Sequence, residues 1–235
     1  MSNRSSLILG LSLAVAMALA ALILSQGMQQ FKLLDRTVVV KGLAEQEVDA
    51  NIAIWPIRFS VADNDLTQVY DSLERQAEQV RAFLARQGFG DGEITLNTPE
   101  VTDKLAQSYG AEQSPLRYSG TATVTLYTNK VATVITARQQ LFTLAKQGVN
   151  LASEDYNART EFLFTELNQL KPQMIEQSTR NAREVAERFA QDSSSALGKI
   201  KRAQQGIFSI RDRDSTTPHV KKVRVVSTVE YYLVD

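Results

Sequence analysis

The sequence predicts an α+β fold: a largely antiparallel sheet with helices packed on one face, preceded by an N-terminal transmembrane helix. Three observations lead there. β-Branched segments that alternate apolar and polar residues recur from residue 37 to residue 234. Helical segments with an apolar stripe fall between those strands, not in a block of their own. And 27 residues without a charge lie between Arg4 and Lys32.

Within that uncharged run, residues 7–24 are apolar apart from Gly10 and Ser12, with Leu7, Leu11, Val15, Leu19, Leu22 and Leu24 spread along it. Eighteen residues of helix span about 27 Å, close to the ~30 Å hydrocarbon core of a bilayer. Residues 25–31 can supply the remainder. The run reads as an uncleaved signal anchor. The alternative is a signal peptide cut at Ala18-Leu19-Ala20, which would leave Ala21-Leu22-Ile23-Leu24 exposed at the new terminus. A short basic start directs export of the downstream chain, although Lys32, Arg36 and Lys41 count the other way on a positive-inside tally. The expectation is a single-pass inner-membrane protein. Residues 1–35 form its anchor and linker, and residues 36–235 its periplasmic body. A periplasmic protein freed by cleavage is the alternative.

The body begins with a strand at 37–42 (TVVVKG) that ends on glycine. A second covers 51–62, where Ile52, Ile54, Ile57, Phe59 and Val61 suggest a break at Trp55-Pro56 and an edge or bulge. Asp65 then caps a helix to about Gln87, with Gln68 as capping-box partner. Its stripe is Leu66, Val69, Leu73, Ala77, Val80 and Leu84, and Gly88 ends it. Strands are expected at 94–101 and 118–127, antiparallel to each other, around a polar loop at 103–116. Asn129 caps a helix over 130–147 with Val131, Val134, Ile135, Leu141 and Leu144 on one face, and Gly148 ends it. A strand at 159–167 precedes the longest helix, capped by Asn168 and running to about Leu197, with Pro172 tolerated in its first turn. Strands at 199–210, broken at Gly206, and at 221–234, with a slip before Val229, close the chain.

Composition narrows the chemistry. Lys plus Arg and Asp plus Glu both number 26, and a net charge of zero argues against a nucleic-acid binder. No cysteine and one histidine, His219, remove thiolate chemistry, disulfides, Cys/His zinc sites and multi-histidine metal sites. Gly88-Phe89-Gly90-Asp91-Gly92 follows a helix and precedes a strand, the reverse of a dinucleotide fingerprint, so it reads as a helix stop and turn. Asp63-Asn64-Asp65 opens like a calcium loop, but Gln68 stands where glycine is needed and Glu74 falls inside the helix. Ser193-Ser194-Ser195 near Lys199 and Lys201 has no nucleophile motif around it and reads as a polar helix end. No catalytic, cofactor or metal residue is assigned.

Two features bear on partners. Lys199, Lys201, Arg202, Arg211, Arg213, Lys221, Lys222 and Arg224 face only Asp212 and Asp214 within their own segment, a local net of +6. They form a candidate surface for anionic lipid or an acidic partner, or the solvated, lysine-blunted face of edge strands. Ala182, Ala186 and Ala190 recur every four residues, a stripe suited to close helix packing in a core or at an oligomer contact.

The order of these pieces resembles the SIMPL domain (DUF541) family of bacterial envelope proteins. The residues that carry the resemblance begin with Val38-Val39-Val40-Lys41-Gly42, Ile94-Thr95-Leu96-Asn97-Thr98 and Tyr118-Ser119-Gly120-Thr121-Ala122. Asn129-Lys130-Val131 comes next, then the late helix from Ala182 through Glu187 to Ala190, and Leu197-Gly198-Lys199-Ile200. One departure is Gln191-Asp192-Ser193-Ser194-Ser195-Ala196, where the family has a short glycine-containing turn. The resemblance implies a periplasmic or membrane-attached protein, with ring-like oligomers and links to oxidative stress in some members, and it transfers no catalytic residue. The expected function is therefore a non-enzymatic, membrane-anchored envelope protein that forms a homo-oligomer. A ligand- or anionic-lipid-binding module using the basic C-terminal strands is the alternative. A carboxylate or Ser/Lys hydrolase ranks third.

Overall fold

The structure, a computed structural model, describes Met17, Ala20, Ala21 and residues 36–106, 115–152 and 159–234. Leu7, Leu11, Val15, Leu19, Leu22 and Leu24 lie outside the described residues. Among the described residues, no helix is long and apolar enough to cross a membrane.

In chain order the elements are β1 (Thr37–Asp49), β2 (Ile52–Asp63), α1 (Leu66–Arg86), β3 (Ile94–Leu96), β4 (Glu100–Asp103) and β5 (Tyr118–Thr128). They continue with α2 (Val131–Gln139), α3 (Phe142–Lys146), β6 (Glu161–Leu163), α4 (Leu167–Asp192), β7 (Ala196–Gln205), β8 (Ser209–Asp212) and β9 (Val220–Val234). The fold class is α+β, as the sequence predicts, but the strands form two sheets where one is expected. One sheet has the order β1-β9-β7 with β8 on β9, and the other β3-β5-β2-β6 with β4 on β5.

The described chain divides into two compact units. The first takes the described residues of Met1–Gln46, Leu170–Ser209 and Val223–Asp235, and the second Glu47–Gln169 and Ile210–Lys222. In the second unit, the inner faces of β2 and β5 meet α1, α2 and α3 in a core of Trp55, Ile57, Phe59, Leu73, Phe83 and Leu126, among others. In the first unit, α4 lies over one face of β1 and β9, with Val40, Ala182, Ala186, Val229 and Tyr231 between them.

Several elements differ from the sequence reading, each for a physical reason. β2 has no break. Ala53, Trp55, Ile57 and Phe59 all point inward and pair residue for residue with β5. Pro56 fits because Arg58 and Ser60 turn their backbone polar groups away from β5, toward Ala152 and Asn150. By alternation the missing N–H of Pro56 faces that side too, beyond the last β6 partner at Ile54. The strand expected at 94–101 is two strands. Ile94 to Leu96 pair with Leu126 to Val124, while Glu100 pairs with Thr121. Asn97, Thr98 and Pro99 thus stand opposite two residues of β5, a bulge at a residue that cannot donate to a ladder.

The helix expected at 130–147 splits into α2 and α3. At the junction Gln140, Leu141, Thr143 and Leu144 donate to carbonyls three residues back, a tightened turn after the β-branched run of α2. On α1, Asp65 caps through Thr67 N–H at 2.8 Å. Leu66 is exposed, and Phe83 and Gln76 join the buried stripe in its place. Gly88 and Gly148 have φ of +88° and +90°. After each, the next residue's N–H bonds back to the carbonyl of Leu84 or Leu144, the Schellman closure.

α4 stops at Asp192, five residues before the expected end. Ser194 takes a left-handed φ of 55°. Ser195 N–H bonds Ala190 O at 2.8 Å and Ser194 N–H bonds Gln191 O at 3.0 Å. A serine thus fills the position that glycine usually fills in this closure. The slip expected in β9 is absent. Ser227 is itself an inward residue, between Val225 and Val229, and its hydroxyl lies 2.6 Å from that of Ser178 on α4.

Candidate binding surfaces

The eight basic residues are divided between the two units. Lys199, Lys201, Arg202 and Arg224 belong to the first unit, and Arg211, Arg213, Lys221 and Lys222 to the second. Four of them have carboxylate partners. Lys201 lies 3.5 Å from Glu230 and above the Tyr232 ring. Arg224 lies 3.3 Å from Glu45. Arg213 binds Asp214 at 2.9 Å and reaches Glu47 at 3.5 Å. Lys221, which is buried, binds Asp212. The local excess of +6 counts only residues 199–224, and Glu45, Glu47 and Glu230 supply charge from outside that segment. Lys199, Arg202, Arg211 and Lys222 have no carboxylate at ion-pair distance among the described residues.

Asp214 organises a turn. Its carboxylate accepts from the hydroxyls of Thr216 and Thr217, from both their backbone N–H groups and from Arg213. These donors, the two hydroxyls foremost, hold it well below the usual carboxylate range. His219, the lone histidine, is half-buried with its ring edge-on to Phe162 at 6.0 Å, and its carbonyl accepts from Ala50 N–H. It serves packing at a strand end.

Ala182, Ala186 and Ala190 are buried. Their small size lets α4 approach the sheet closely. A Cβ placed on Gly42 would come within 1.8 Å of Ser178 O and 2.8 Å of the Ala182 Cβ. The stripe is core here, continuous with Ser178 one turn earlier.

The weighed motifs resolve into structure. Asp63 and Asp65 cap the start of α1, and Asn64 accepts from Arg117 N–H. Ser193 and Ser195 bond backbone carbonyls at the end of α4, and Arg36 donates to Ser195. In the glycine-rich turn, Glu93 forms a clasp. One carboxylate oxygen accepts from the Thr128 hydroxyl. The other accepts from Gly90 N–H at 2.7 Å and Lys130 Nζ at 3.1 Å. Lys130 also donates to Gly88 O at 2.8 Å. The Thr128 hydroxyl is the largest of the influences that lower the Glu93 pKa below its ordinary value, followed by Gly90 N–H.

Two surface depressions lie in the second unit, and sequence reasoning found neither. One, of about 390 Å³, is polar and lined by Arg58, Asn97, Thr98, Glu100, Thr121 and Thr123. It sits where the bulge at Pro99 interrupts pairing with β5, on the face opposite the core. Pro99 within an expected strand was the signal for it. The other, about 680 Å³ and more apolar, runs along α2 and α3 beside Phe142 and Leu141. Among the described residues no three His, Cys, Asp or Glu side chains are grouped to hold a metal ion.

The fold is thus that of an α+β protein in which each of two antiparallel sheets carries helix on one face. A family model described as SIMPL, protein of unknown function (DUF541), matches residues 38–230, and the chain belongs to this family. No curated protein matches the sequence.

Proposed function

We propose that this SIMPL protein is a non-enzymatic, membrane-anchored component of the bacterial envelope, with the SIMPL domain as its self-assembly module in the periplasm and a role in envelope or oxidative stress. The observation that carries this reading is the 27-residue uncharged run ahead of a body matched from residue 38 to residue 230. Such a run is long enough to hold the chain at a bilayer. Fractionation with intact-mass measurement tests it. The expected result is full-length mass in the inner-membrane fraction, and loss of about the first twenty residues with a soluble periplasmic location overturns it. Sizing of the detergent-solubilised chain tests assembly, and a strict monomer at micromolar concentration overturns that part. Ester, peptide and glycoside substrates should all stay intact.

The competing reading, an anionic-lipid module, rests within each unit on the cations left once the paired ones are set aside, Lys199 and Arg202 in the first and Arg211 and Lys222 in the second. Vesicle flotation that depends on lipid charge would favour it.

A further inference from the structure

We propose that the free edge of β1 is a self-association surface, where a second copy of the chain adds its own β1 antiparallel about a two-fold axis at Leu43. The proposal rests on the self-assembly reading and names its surface. β1 ends the sheet order β1-β9-β7, so no strand occupies its other edge among the described residues. Leu233 N–H bonds Arg36 O and Ala50 N–H bonds His219 O, so the even-numbered residues of β1 turn their polar groups toward β9. By alternation Val39, Lys41, Leu43 and Glu45 direct theirs to the free edge. Strands with an unpaired row of this kind are templates for another chain.

The side chains choose both the partner and the alignment. Val39, Lys41, Leu43 and Glu45 share the face of β1 away from α4, and Val39 and Leu43 are 62% and 39% exposed. An axis at Leu43 sets Leu43 against Leu43 of the second copy and Lys41 against Glu45, twice by symmetry. An axis at Lys41 or Glu45 would oppose like charges. An axis at Gly42 would set Lys41 against Leu43, and one at Ala44 would set Leu43 against Glu45. Of the axes from Lys41 to Glu45, only the one at Leu43 sets apolar against apolar at the centre and opposite charges on either side of it. Glu45 already bonds Arg224 on the neighbouring strand, so the added Lys41 would complete a row of alternating charge.

A latch guards this edge. The Asn181 amide donates to Leu43 O at 2.7 Å, and Gln177 holds Asn181 from one turn away at 3.0 Å. An incoming strand competes for that carbonyl, so the latch tempers association.

Sedimentation of the full-length chain in mild detergent, over a range of concentrations, tests the proposal. Leu43→Lys opposes two ammonium groups at the axis, and Lys41→Glu opposes two pairs of carboxylates. Each should weaken association about tenfold or more. Asn181→Ala frees the carbonyl and should tighten it about fivefold. Both weakening substitutions sit on the outward face, and an unchanged thermal midpoint verifies that each variant folds; either one alone suffices. If the wild type associates and neither substitution alters its constant, the edge is not the interface, while self-assembly stands. If the wild type and Asn181→Ala are both monomeric at micromolar concentration, the surface and the self-assembly reading fall together.

Discussion

The two units solve the burial problem in opposite ways. The second is filled by large side chains, with Trp55, Phe59, Leu73, Phe83, Leu84 and Leu126 all fully buried. In the first the helix-to-sheet contact runs over small residues, with Gly42, Ala44, Ala182, Ala186 and Ala190 bringing α4 down onto β1 and β9 beside a few larger ones, Met174 and Tyr231. Area removed from water stabilises the second. Close approach stabilises the first, where dispersion contacts replace bulk. One should therefore be damaged by truncation and the other by enlargement.

The largest expected effect is Trp55→Ala, which leaves a cavity between β2 and the helices and should cost about 4 kcal/mol in urea unfolding. A loss under about 1 kcal/mol would break the contrast from one side. Gly42→Ala is the opposite change. Its Cβ would overlap backbone, with Ser178 O at 1.8 Å and Ala182 N at 2.4 Å, so the strand and helix must separate. The expected cost is about 3 kcal/mol. A Gly42→Ala protein as stable as the wild type would break the contrast from the other side.

The clasp at Glu93 sharpens the comparison, since the first unit's buried hydroxyl pair is uncharged and this one is not. Glu93→Gln should cost about 1.5 kcal/mol by weakening charge-assisted bonds to Lys130 and Gly90. The folded pKa of Glu93 lies below its ordinary value of 4.5, so its contribution is complete above that value and is lost as pH falls through the folded one. The difference between wild type and variant should therefore shrink on acidification below about pH 4.5. A constant difference down to pH 2 would assign the effect to shape alone. The smallest effect is a gain. Ser194→Gly relieves a left-handed serine and should stabilise the chain by about 0.7 kcal/mol. No gain would mean that the bonds made around the serine offset its strain.

The α+β class, the order of strands and helices and the glycine stops at Gly88 and Gly148 were legible because they depend on local alternation and backbone freedom. The misread details depend on what lies across the sheet. The isoleucine spacing suggests a break in β2 because Ala53 and Trp55 do not look like a matched pair, yet both belong to the same core. Ser227 looked like a slip in β9 because a polar residue facing inward makes sense only beside Ser178. The end of α4 was overrun because Ser194 does a glycine's work without being one. The basic surface was overcounted because Glu45 and Glu47 lie far from residues 199–224 in sequence and Glu230 lies just past their end. The polar depression was missed because its walls come from β2, β5 and the bulge between β3 and β4, three separate stretches of chain.

The contact between Ser178 and Ser227 has one more consequence. Along α4, positions 178, 182, 186 and 190 are all small, so a slide of the helix by one turn would present nearly the same surface to the sheet. Apolar contact alone distinguishes such positions poorly. The hydroxyl pair distinguishes them well. Ser178 also bonds Ile175 O at 3.0 Å, and a slide would strand the Ser227 hydroxyl, a desolvation cost of about 1–3 kcal/mol. In a smooth interface the two serines act as an index mark, fixing where along its length the helix stops.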